Sequence, residues 1–265
     1  MINSVLKAID IINLFSPAEP RLSLGEISRR LDLPKSTAHS LLATLHSRGI
    51  IEKVNGDEYA LGTAIIGLTH AVRVNVEIRD RAAQLLRQLA DATHESVYLT
   101  TLDGDYCLYI YAVESSHRLL ARTAVGDRAL LHCTSVGKAI LAYLPEQQAA
   151  GIIGRAGLPA FTPHTITSAA GLAEDLAQIR SQGFALDREE HERGVFCVGA
   201  PIFDQRGSVI GSCSVSGTDP EILAGLLPWL SGQVAGTAHE ISRRMGYVPA
   251  SLSLIASALP AQMGK

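Results

Sequence analysis

The chain lacks a surplus of positive charge. Its 265 residues include 23 Lys and Arg against 26 Asp and Glu, which gives a formal net charge of −3 at pH 7. Binding to nucleic acid through overall basicity is therefore excluded, because such binding needs a basic excess on the domain surface. Any contact with a polyanion has to be local.

Long apolar runs and paired cysteines are lacking as well. No apolar run approaches the length that crosses a bilayer. Residues 1–17 contain Lys7 and Asp10 within their apolar stretch and do not resemble a signal peptide. The four cysteines form no CxxC pair, which favours reduced thiols. We therefore expect a cytoplasmic protein that has no membrane partner, no cofactor and no bound metal.

The hydrophobic share of 47% with 18% charged residues is typical of folded domains, and the length suggests two of them. Apolar spacing predicts a helix over residues 4–15, and Ser23 with Glu26 forms a capping box that opens a second helix. Pro34 suits the first turn of a third helix. A hairpin signal follows at residues 55–57. Three short helices and a hairpin make a winged helix-turn-helix.

The remainder of the chain alternates strands, turns and helices. Hairpins are predicted about residues 103–104 and 205–207. Helices are predicted over residues 134–145, in a segment closed by Gly183, and over residues 220–245. Helices around an antiparallel sheet indicate an α+β domain of the sensory, ligand-binding kind.

The solvent side of the predicted third helix is suited to DNA. In a helix-turn-helix the second helix of the pair enters the major groove with its N-terminal residues at the base edges. Hydroxyl, imidazole and ammonium groups there can contact phosphates or bases. The predicted contacts on this helix are Lys35, Ser36, Thr37, His39 and Ser40. The predicted flanking phosphate contacts are Arg29, Arg30, Arg48 and Lys53. Acidic neighbours offset these charges, so a single copy should bind weakly.

The same helix pattern also occurs in proteins that never touch DNA. A winged domain that binds another protein therefore remains an alternative. Retention on DNA that falls steeply with salt would distinguish the two, because phosphate contacts release counterions.

Two clusters in the second domain could hold a polar ligand. Backbone N–H groups at the helix start near Ser135 and Val136 could hold a carboxylate, although Thr134 or Ser135 could simply cap that helix. In the stretch "SCSVSG", Ser214 and Ser216 lie on the strand face opposite Cys213 and Val215. If they point inward they need polar partners, which a ligand could supply. If they face solvent they are unremarkable.

Cys197 permits two other interpretations. With His132 or His191 as a base it would define a cysteine-dependent enzyme or a redox sensor. Against this, the sequence contains no resolving CxxC, nucleophile elbow or phosphate loop. A mixed set of metal ligands is the other interpretation, but its spacing is not that of a zinc finger, and the segment "DREEHER" is typical of a solvated surface. That set comprises His132, Cys133, Asp187, Glu190, His191 and Cys197.

Three stretches carry a resemblance to a known family. "SLGEISRRLDLPKSTAHSLLATLHSRGIIEK", followed by "YALG", resembles the DNA-binding domain of the IclR family of bacterial transcriptional regulators. "LLHCTSVGKAILAYLP" and "ALDREEHERGVFCVGAPIFDQRGSVIGSCSVSG" are similar to the family's two effector-domain signatures. The resemblance implies a regulator, such as a repressor, and not an enzyme. It implies a homodimer, often paired into a homotetramer, that binds double-stranded operator DNA and a small-molecule effector.

The resemblance also implies the residues of the effector pocket. The effector is expected to be a small organic acid or a related catabolic intermediate. The implied lining residues are Ser135, Val136, Asp187, Cys197, Ser214 and Ser216, together with Arg118 and Ala121 on a predicted strand over residues 117–126.

The predicted fold class is therefore α+β, with four segments in order. Residues 1–62 form the winged helix-turn-helix and residues 63–79 a connecting helix. Residues 80–246 form a GAF-like or profilin-like domain for effector binding and oligomerisation. Residues 247–265 form a mobile tail.

Overall fold

Two units make up the chain, Met1–Val74 and Asn75–Lys265. The computed structural model describes residues 1–16, 19–54, 56–71, 76–115 and 125–248. Within those ranges no helix is long and apolar enough to span a membrane. Each unit is built around its own buried apolar cluster.

The first unit contains three helices, a three-stranded antiparallel sheet and a further helix. The strand order of the sheet is β1-β3-β2. In chain order the elements are α1 (Asn3–Asn13), β1 (Leu22–Ser23), α2 (Leu24–Arg30), α3 (Lys35–Ser47), β2 (Ile51–Val54), β3 (Glu58–Leu61) and α4 (Ala64–Ala71).

Local signals account for the helix boundaries in this unit. The predicted capping box is confirmed: Ser23 Oγ accepts from the Glu26 N–H at 3.2 Å, and the Glu26 carboxylate accepts from the Ser23 N–H at 2.8 Å. Pro34 is the N-cap of α3 and lies just before its first turn. Gly49 has φ +67° just after α3. The predicted hairpin is present as β2 and β3, while its turn residue Asn55 lies outside the described residues.

The described part of the predicted connecting helix over residues 63–79 comprises α4 and the start of the next helix, while residues 72–75 lie outside the described residues. Helix α4 ends at Ala71, and the next helix, α5 (Val76–Thr93), runs through the predicted boundary at Asp80. Ile78, Ala82 and Leu86 are spaced four residues apart on one face of α5, and all three are buried in the second unit's core. This face makes Ile78 and Arg79 part of the second unit's first helix.

The second unit is built on a six-stranded antiparallel sheet of order β6-β5-β4-β9-β8-β7. Both predicted hairpins are confirmed, with Gly104 at φ +61° in the first turn and Gly207 at φ +76° in the second. The short edge strands β6 and β7 were not predicted. The strands are β4 (Ser96–Asp103), β5 (Tyr106–Val113), β6 (Arg128–Leu130), β7 (Ala185–Arg188), β8 (Phe196–Phe203) and β9 (Val209–Gly217).

Helices cover both faces of this sheet. Helices α5 and α9 (Leu227–Arg244) pack on one face, and α6 (Ser135–Leu141), α7 (Glu146–Ala156) and α8 (Ala169–Gln182) pack on the other. The helix predicted within residues 134–145 is present as α6, but it ends at Leu141, and Pro145 is the N-cap of the next helix, α7, which was not predicted. The predicted last helix is divided into a 3-10 turn at Pro220–Leu223 and α9.

Two glycines allow α6 to lie directly against its neighbours. A Cβ on Gly199 of β8 would stand 2.9 Å from the carbonyl carbon and oxygen of Ser135. A Cβ on Gly137 would stand 2.6 Å from the backbone of Leu131. Neither position accepts a side chain without movement of the backbone. These close contacts place the start of α6 directly over strand β8.

Candidate functional sites

The exposed face of α3 carries the side chains predicted to contact DNA. Lys35, Ser36, His39 and Ser40 are exposed and Thr37 is partly exposed. The opposite face of the helix packs into the core. A shallow concavity on the outer face is lined by Ser36, Thr37, Ser40, Leu41 and Thr44, of which Thr44 was missed by the sequence reasoning.

Two of the hydroxyl protons on this face, those of Ser40 and Thr44, are already used in hydrogen bonds to the helix. Ser40 Oγ donates to the carbonyl oxygen of Ser36 at 3.0 Å, and Thr44 Oγ1 donates to that of Ser40 at 2.9 Å. Each hydroxyl has a single proton, and a phosphate oxygen only accepts. Contact with a phosphate therefore requires these hydroxyls to rotate away from their own helix.

The predicted basic contacts fall into two groups. Arg30 forms a two-pronged ion pair with Glu19, with distances of 2.7 and 2.8 Å, which raises the arginine pKa. Lys53 Nζ lies 3.5 Å from the Asp57 carboxylate. Arg29, Lys35 and Arg48 form no ion pair with another described residue. These last three are the side chains whose charge is available to a phosphate.

In the second unit, three adjacent strands bring the predicted pocket residues together. Asp187 of β7 is opposite Cys197 of β8, which is opposite Ser216 of β9. Ser214 lies two residues along β9 on the same face, and Ser135 of α6 lies directly over Gly199, two residues from Cys197 on β8. With Val136 of α6, all six are buried. The alternative of solvent-facing serines was therefore wrong. Arg118 and Ala121 lie outside the described residues.

Not every polar group near the pocket is available to a ligand. Thr134 Oγ1 accepts from the Gly137 N–H at 3.1 Å, which confirms the capping alternative for the start of α6. Ser212 Oγ donates to the carbonyl oxygen of Val136 at 2.9 Å and lies 2.7 Å from Thr100 Oγ1. The Thr134 and Ser212 hydroxyls therefore hold α6 in place.

Two tyrosines that were not predicted lie beside the predicted pocket residues. Tyr98 of β4 is opposite Ser214 in the sheet, and its ring meets that of Tyr109 of β5 edge-on, 5.5 Å between centroids at 84°. Burial raises the pKa of Tyr109 well above its usual value, and Cys197 and Asp187 act in the same direction. The available signal was strand alternation, which puts both rings on the α6 side of the sheet.

The pocket thiol is not prepared for nucleophilic chemistry. Burial is the largest cause that raises the Cys197 pKa, and the neighbouring Asp187 carboxyl raises it further. The thiol closest to an imidazole is Cys133, whose Sγ lies 3.6 Å from His191 Nδ1, and burial raises its pKa as well. Reactive cysteines have lowered pKa values, so neither thiol fits the enzyme interpretation.

Acidic groups lie beside the pocket instead. Burial raises the pKa of Asp187 to about 7, and its carboxylate accepts from the Glu190 N–H at 2.7 Å. The reading of residues 187–193 as a solvated segment was wrong for these two carboxyls, because both are buried. In the part of the chain that the structure describes, no three His, Cys, Asp or Glu side chains are grouped to hold a metal ion.

A fully buried lysine connects this segment to α8. Lys138 Nζ of α6 lies 2.6 Å from Glu190 and 3.0 Å from Asp175 of α8. Thr165 Oγ1 donates to the carbonyl oxygen of Glu190 at 2.6 Å. The segment that begins at Asp187 is thus joined to α6 by the ion pair between Glu190 and Lys138.

Comparison with known proteins agrees with both units. The model of the IclR helix-turn-helix domain matches residues 4–55, and that of the bacterial transcriptional regulator IclR C-terminal domain matches residues 70–243. The Escherichia coli regulator XynR is 34% identical over 249 residues, 93% of this chain and 98% of XynR. BhcR of Paracoccus denitrificans is 35% identical over 242 residues, 91% of this chain and 86% of BhcR.

A solved structure has a similar fold over most of the chain. The Thermotoga maritima IclR crystal structure matches with a TM-score of 0.80 and 31% identity, over 93% of this chain and 100% of that one. A helix-turn-helix unit followed by an α+β unit is the build of a DNA-binding transcriptional regulator and not of an enzyme. This chain belongs to the IclR family, which confirms the resemblance and the predicted fold class.

Proposed function

We propose that this regulator senses a small, oxygen-rich organic acid in the pocket beside α6 and changes its operator binding in response. The observation that carries the proposal is the buried row of Asp187, Cys197 and Ser216 across three strands. A buried polar row requires hydrogen-bonding partners, and a polar ligand supplies them. Tyr98 and Tyr109 add two phenol groups.

The ionisation of Asp187 suits an acidic effector. With its pKa raised to about 7, this carboxyl is largely protonated below neutral pH. A protonated carboxyl donates a hydrogen bond to a ligand carboxylate, whereas an ionised one repels it. Arg118, on the predicted strand outside the described residues, is proposed as a further partner of the ligand.

Operator binding is proposed to use α3, with Lys35, Ser36, Thr37, His39 and Ser40 in the groove. Because Arg30 and Lys53 are paired with acidic residues, a single winged unit offers few free charges. We therefore propose a homodimer or homotetramer, acting in the cytoplasm. The exposure of Val5, Leu6 and Ile9 on α1 supports such an assembly, because monomers rarely leave apolar clusters uncovered.

The response to the effector is proposed to be a population shift. A ligand changes operator occupancy only if it binds two arrangements of the protein with different affinities. The segment over residues 63–79 is the proposed coupling element. Proline in place of Val72 is expected to abolish effector-dependent release from DNA, and preserved release would contradict this role.

The DNA part is tested by binding of the purified protein to its own upstream DNA at several salt concentrations. Lys35→Ala is expected to weaken binding and to reduce the slope of log K against log[salt] by about 1, since one phosphate contact is lost. Lys7→Ala, a charge change outside the proposed interface, is the control. Binding that ignores salt and Lys35→Ala would favour the protein-interaction alternative.

The effector part is tested by a screen of small carboxylic acids for release of the bound DNA. For an acid that acts, the double variant Ser214→Ala with Ser216→Ala is expected to lose affinity by at least about tenfold, because two buried hydrogen-bonding groups are removed. Ser181→Ala, at an exposed position of α8, is the matched control. Unchanged affinity in the double variant would refute the pocket assignment.

A further inference from the structure

A second cavity lies beside the opposite end of α6. Its volume is about 300 Å³. Strand β7 pairs with β8 only as far as Gly199, and the cavity is lined by the next residues of β8 up to Phe203. Gly183, which ends α8, and Tyr143, which follows α6, form part of its rim. The cavity therefore occupies the space left where the edge strand stops.

The two main walls of this cavity differ in character. The Phe203 ring lies between Tyr143, with centroids 5.1 Å apart at 83°, and Tyr247, with centroids 5.2 Å apart at 32°. Helix α9 contributes the small side chains of Ala235 and Ala238 to the lining. The space that these rings and α9 border is called the slot below. A planar ring fills such a slot and meets the aromatic edges and faces favourably.

The lining is nearly neutral. Among the described residues that line it, none is Asp, Glu, Lys or Arg. Ser242 Oγ is occupied, because it accepts from the Phe203 N–H at 3.0 Å and donates to the carbonyl oxygen of Ala238 at 2.7 Å. The phenols of Tyr143 and Tyr247 and the imidazole of His239 are the other polar side chains of the lining. Such a lining suits an uncharged ring with one hydrogen-bonding substituent.

This cavity is separate from the proposed effector pocket. Cys197 of that pocket and Phe203 of the cavity are six residues apart on β8, about 20 Å for an extended strand. Along α6 the pocket lies at Ser135, whereas the cavity is reached at Tyr143, beyond the last residue Leu141. A molecule in one site leaves the other open.

The cavity also borders the helix end that is bonded to α5. Arg244, at the last residue of α9, donates from Nη1 to the carbonyl oxygen of Arg81 at 3.2 Å, and the Arg81 guanidinium donates to the carbonyl oxygen of Arg244. Ala235, Ala238 and His239 of the cavity lie within about two and a half turns before Arg244. A ligand there contacts the part of α9 that holds the first turns of α5.

We propose that this cavity is a second small-molecule site of the protein, which binds a monocyclic phenol with the ring in the slot and the hydroxyl bonded to a polar side chain of the lining, Tyr143 or His239. The site goes beyond the proposed effector function and does not depend on it. Binding there acts on the junction of α9 and α5.

The test is a calorimetric titration of the full-length protein with p-cresol. Saturable binding at one site per chain is expected, and 4-methylcyclohexanol, of similar size but without the aromatic ring, is expected to bind several-fold more weakly. Ala235→Leu places extra atoms in the slot and is expected to lower p-cresol affinity by at least about tenfold. Ala92→Leu, the same change on the exposed face of α5, is the control and should leave the affinity unchanged.

Two further variants keep the outcome decisive. Phe203→Leu removes the central ring with little loss of volume and is expected to weaken p-cresol binding even if Ala235→Leu fails to fold. The Ser214→Ala with Ser216→Ala variant is expected to bind p-cresol like the parent; a loss there would place p-cresol in the effector pocket and overturn the proposal. It is equally overturned if the intact chain shows no saturable binding, or shows it only after truncation beyond Val248.

Discussion

Replacing Lys138 with Met removes a positive charge that faces the buried carboxylate of Glu190 and the partly buried carboxylate of Asp175. Its ammonium lies 2.6 Å from Glu190 and 3.0 Å from Asp175, and the lysine side chain is fully buried. Met keeps the length and most of the volume of the side chain, so little cavity is created. Removing one partner of a buried ion pair costs about 3–5 kcal/mol, because the remaining charge is neither solvated nor paired.

The pH dependence of this loss has a definite sign. Burial already raises the Glu190 pKa, and the lysine acts against that rise. Without Lys138 the folded-state pKa of Glu190 rises further above its unfolded value. The penalty is therefore fully present above the folded-state pKa and disappears as the pH falls towards the unfolded value. We expect the difference between parent and Lys138→Met to be larger at pH 8 than at pH 5.

The assay is urea unfolding of the full chain, followed by circular dichroism at both pH values. A compensated variant, Lys138→Met with Asp175→Asn and Glu190→Gln, serves as the control because it removes the buried charges together. It is expected to regain most of the lost free energy of unfolding, since neutral replacements of buried ion clusters are often tolerated. A single variant as stable as the parent at pH 8 would refute the reasoning.

Three further changes test other features. Asp187→Asn should flatten the pH dependence of stability, because the Asp187 pKa is raised to about 7 in the folded parent and returns to its ordinary value on unfolding. As the pH rises from 5 to 7, the free energy of unfolding of the parent should therefore fall, relative to that of the variant, by up to about 1.4 kcal/mol per pH unit. The same pH dependence of the free energy of unfolding in both proteins would contradict this. Gly199→Ala should cost about 1–3 kcal/mol in the same assay, since its Cβ meets the Ser135 backbone; a cost under about 0.5 kcal/mol would contradict that contact. Glu19→Gln should release Arg30, strengthen operator binding and steepen its salt slope by about 1, whereas an unchanged slope would show that Arg30 contacts no phosphate.

Most of the first unit could be predicted because its signals are local. The capping box at Ser23, the proline before α3 and the glycine after it are each read from a few neighbouring residues. The exposed face of α3 follows from the helical period alone. The pairing of Arg30 with Glu19 could not be predicted in the same way, because the two side chains are eleven residues apart, at opposite ends of a segment that contains β1 and α2.

In the second unit the hairpins were predictable and the edges of the sheet were not. Strands β6 and β7 are only three and four residues long, too short for an alternation pattern to show. Helix α7 was missed because Pro145 reads equally well as the end of one helix and the start of the next.

The residues around the predicted pocket could be identified from the sequence only in part. The strand face of Ser214 and Ser216 follows from alternation, and the buried position of Asp187 was implied by the family resemblance. Alternation gives the strand faces of Tyr98 and Tyr109, but that Tyr98 lies opposite Ser214 follows from the pairing of β4 with β9, a register that no local pattern encodes. The burial of Lys138 was likewise hidden, because its partners come from two distant segments.

The central pairing of the sheet has a consequence for the order in which the protein is made. Strand β4 pairs with β9, so Ser96 cannot form its backbone pairing until Ser216 has been synthesised. The first unit depends on pairings that span at most a few tens of residues, such as Leu22 with Tyr59. Because distant contacts form slowly and chains emerge from the ribosome N-terminus first, we expect the winged unit to fold during synthesis, well before Asp187, Cys197 and Ser216 are brought together. Translation that stops before β9 would thus produce a winged unit that lacks the residues proposed to bind the effector.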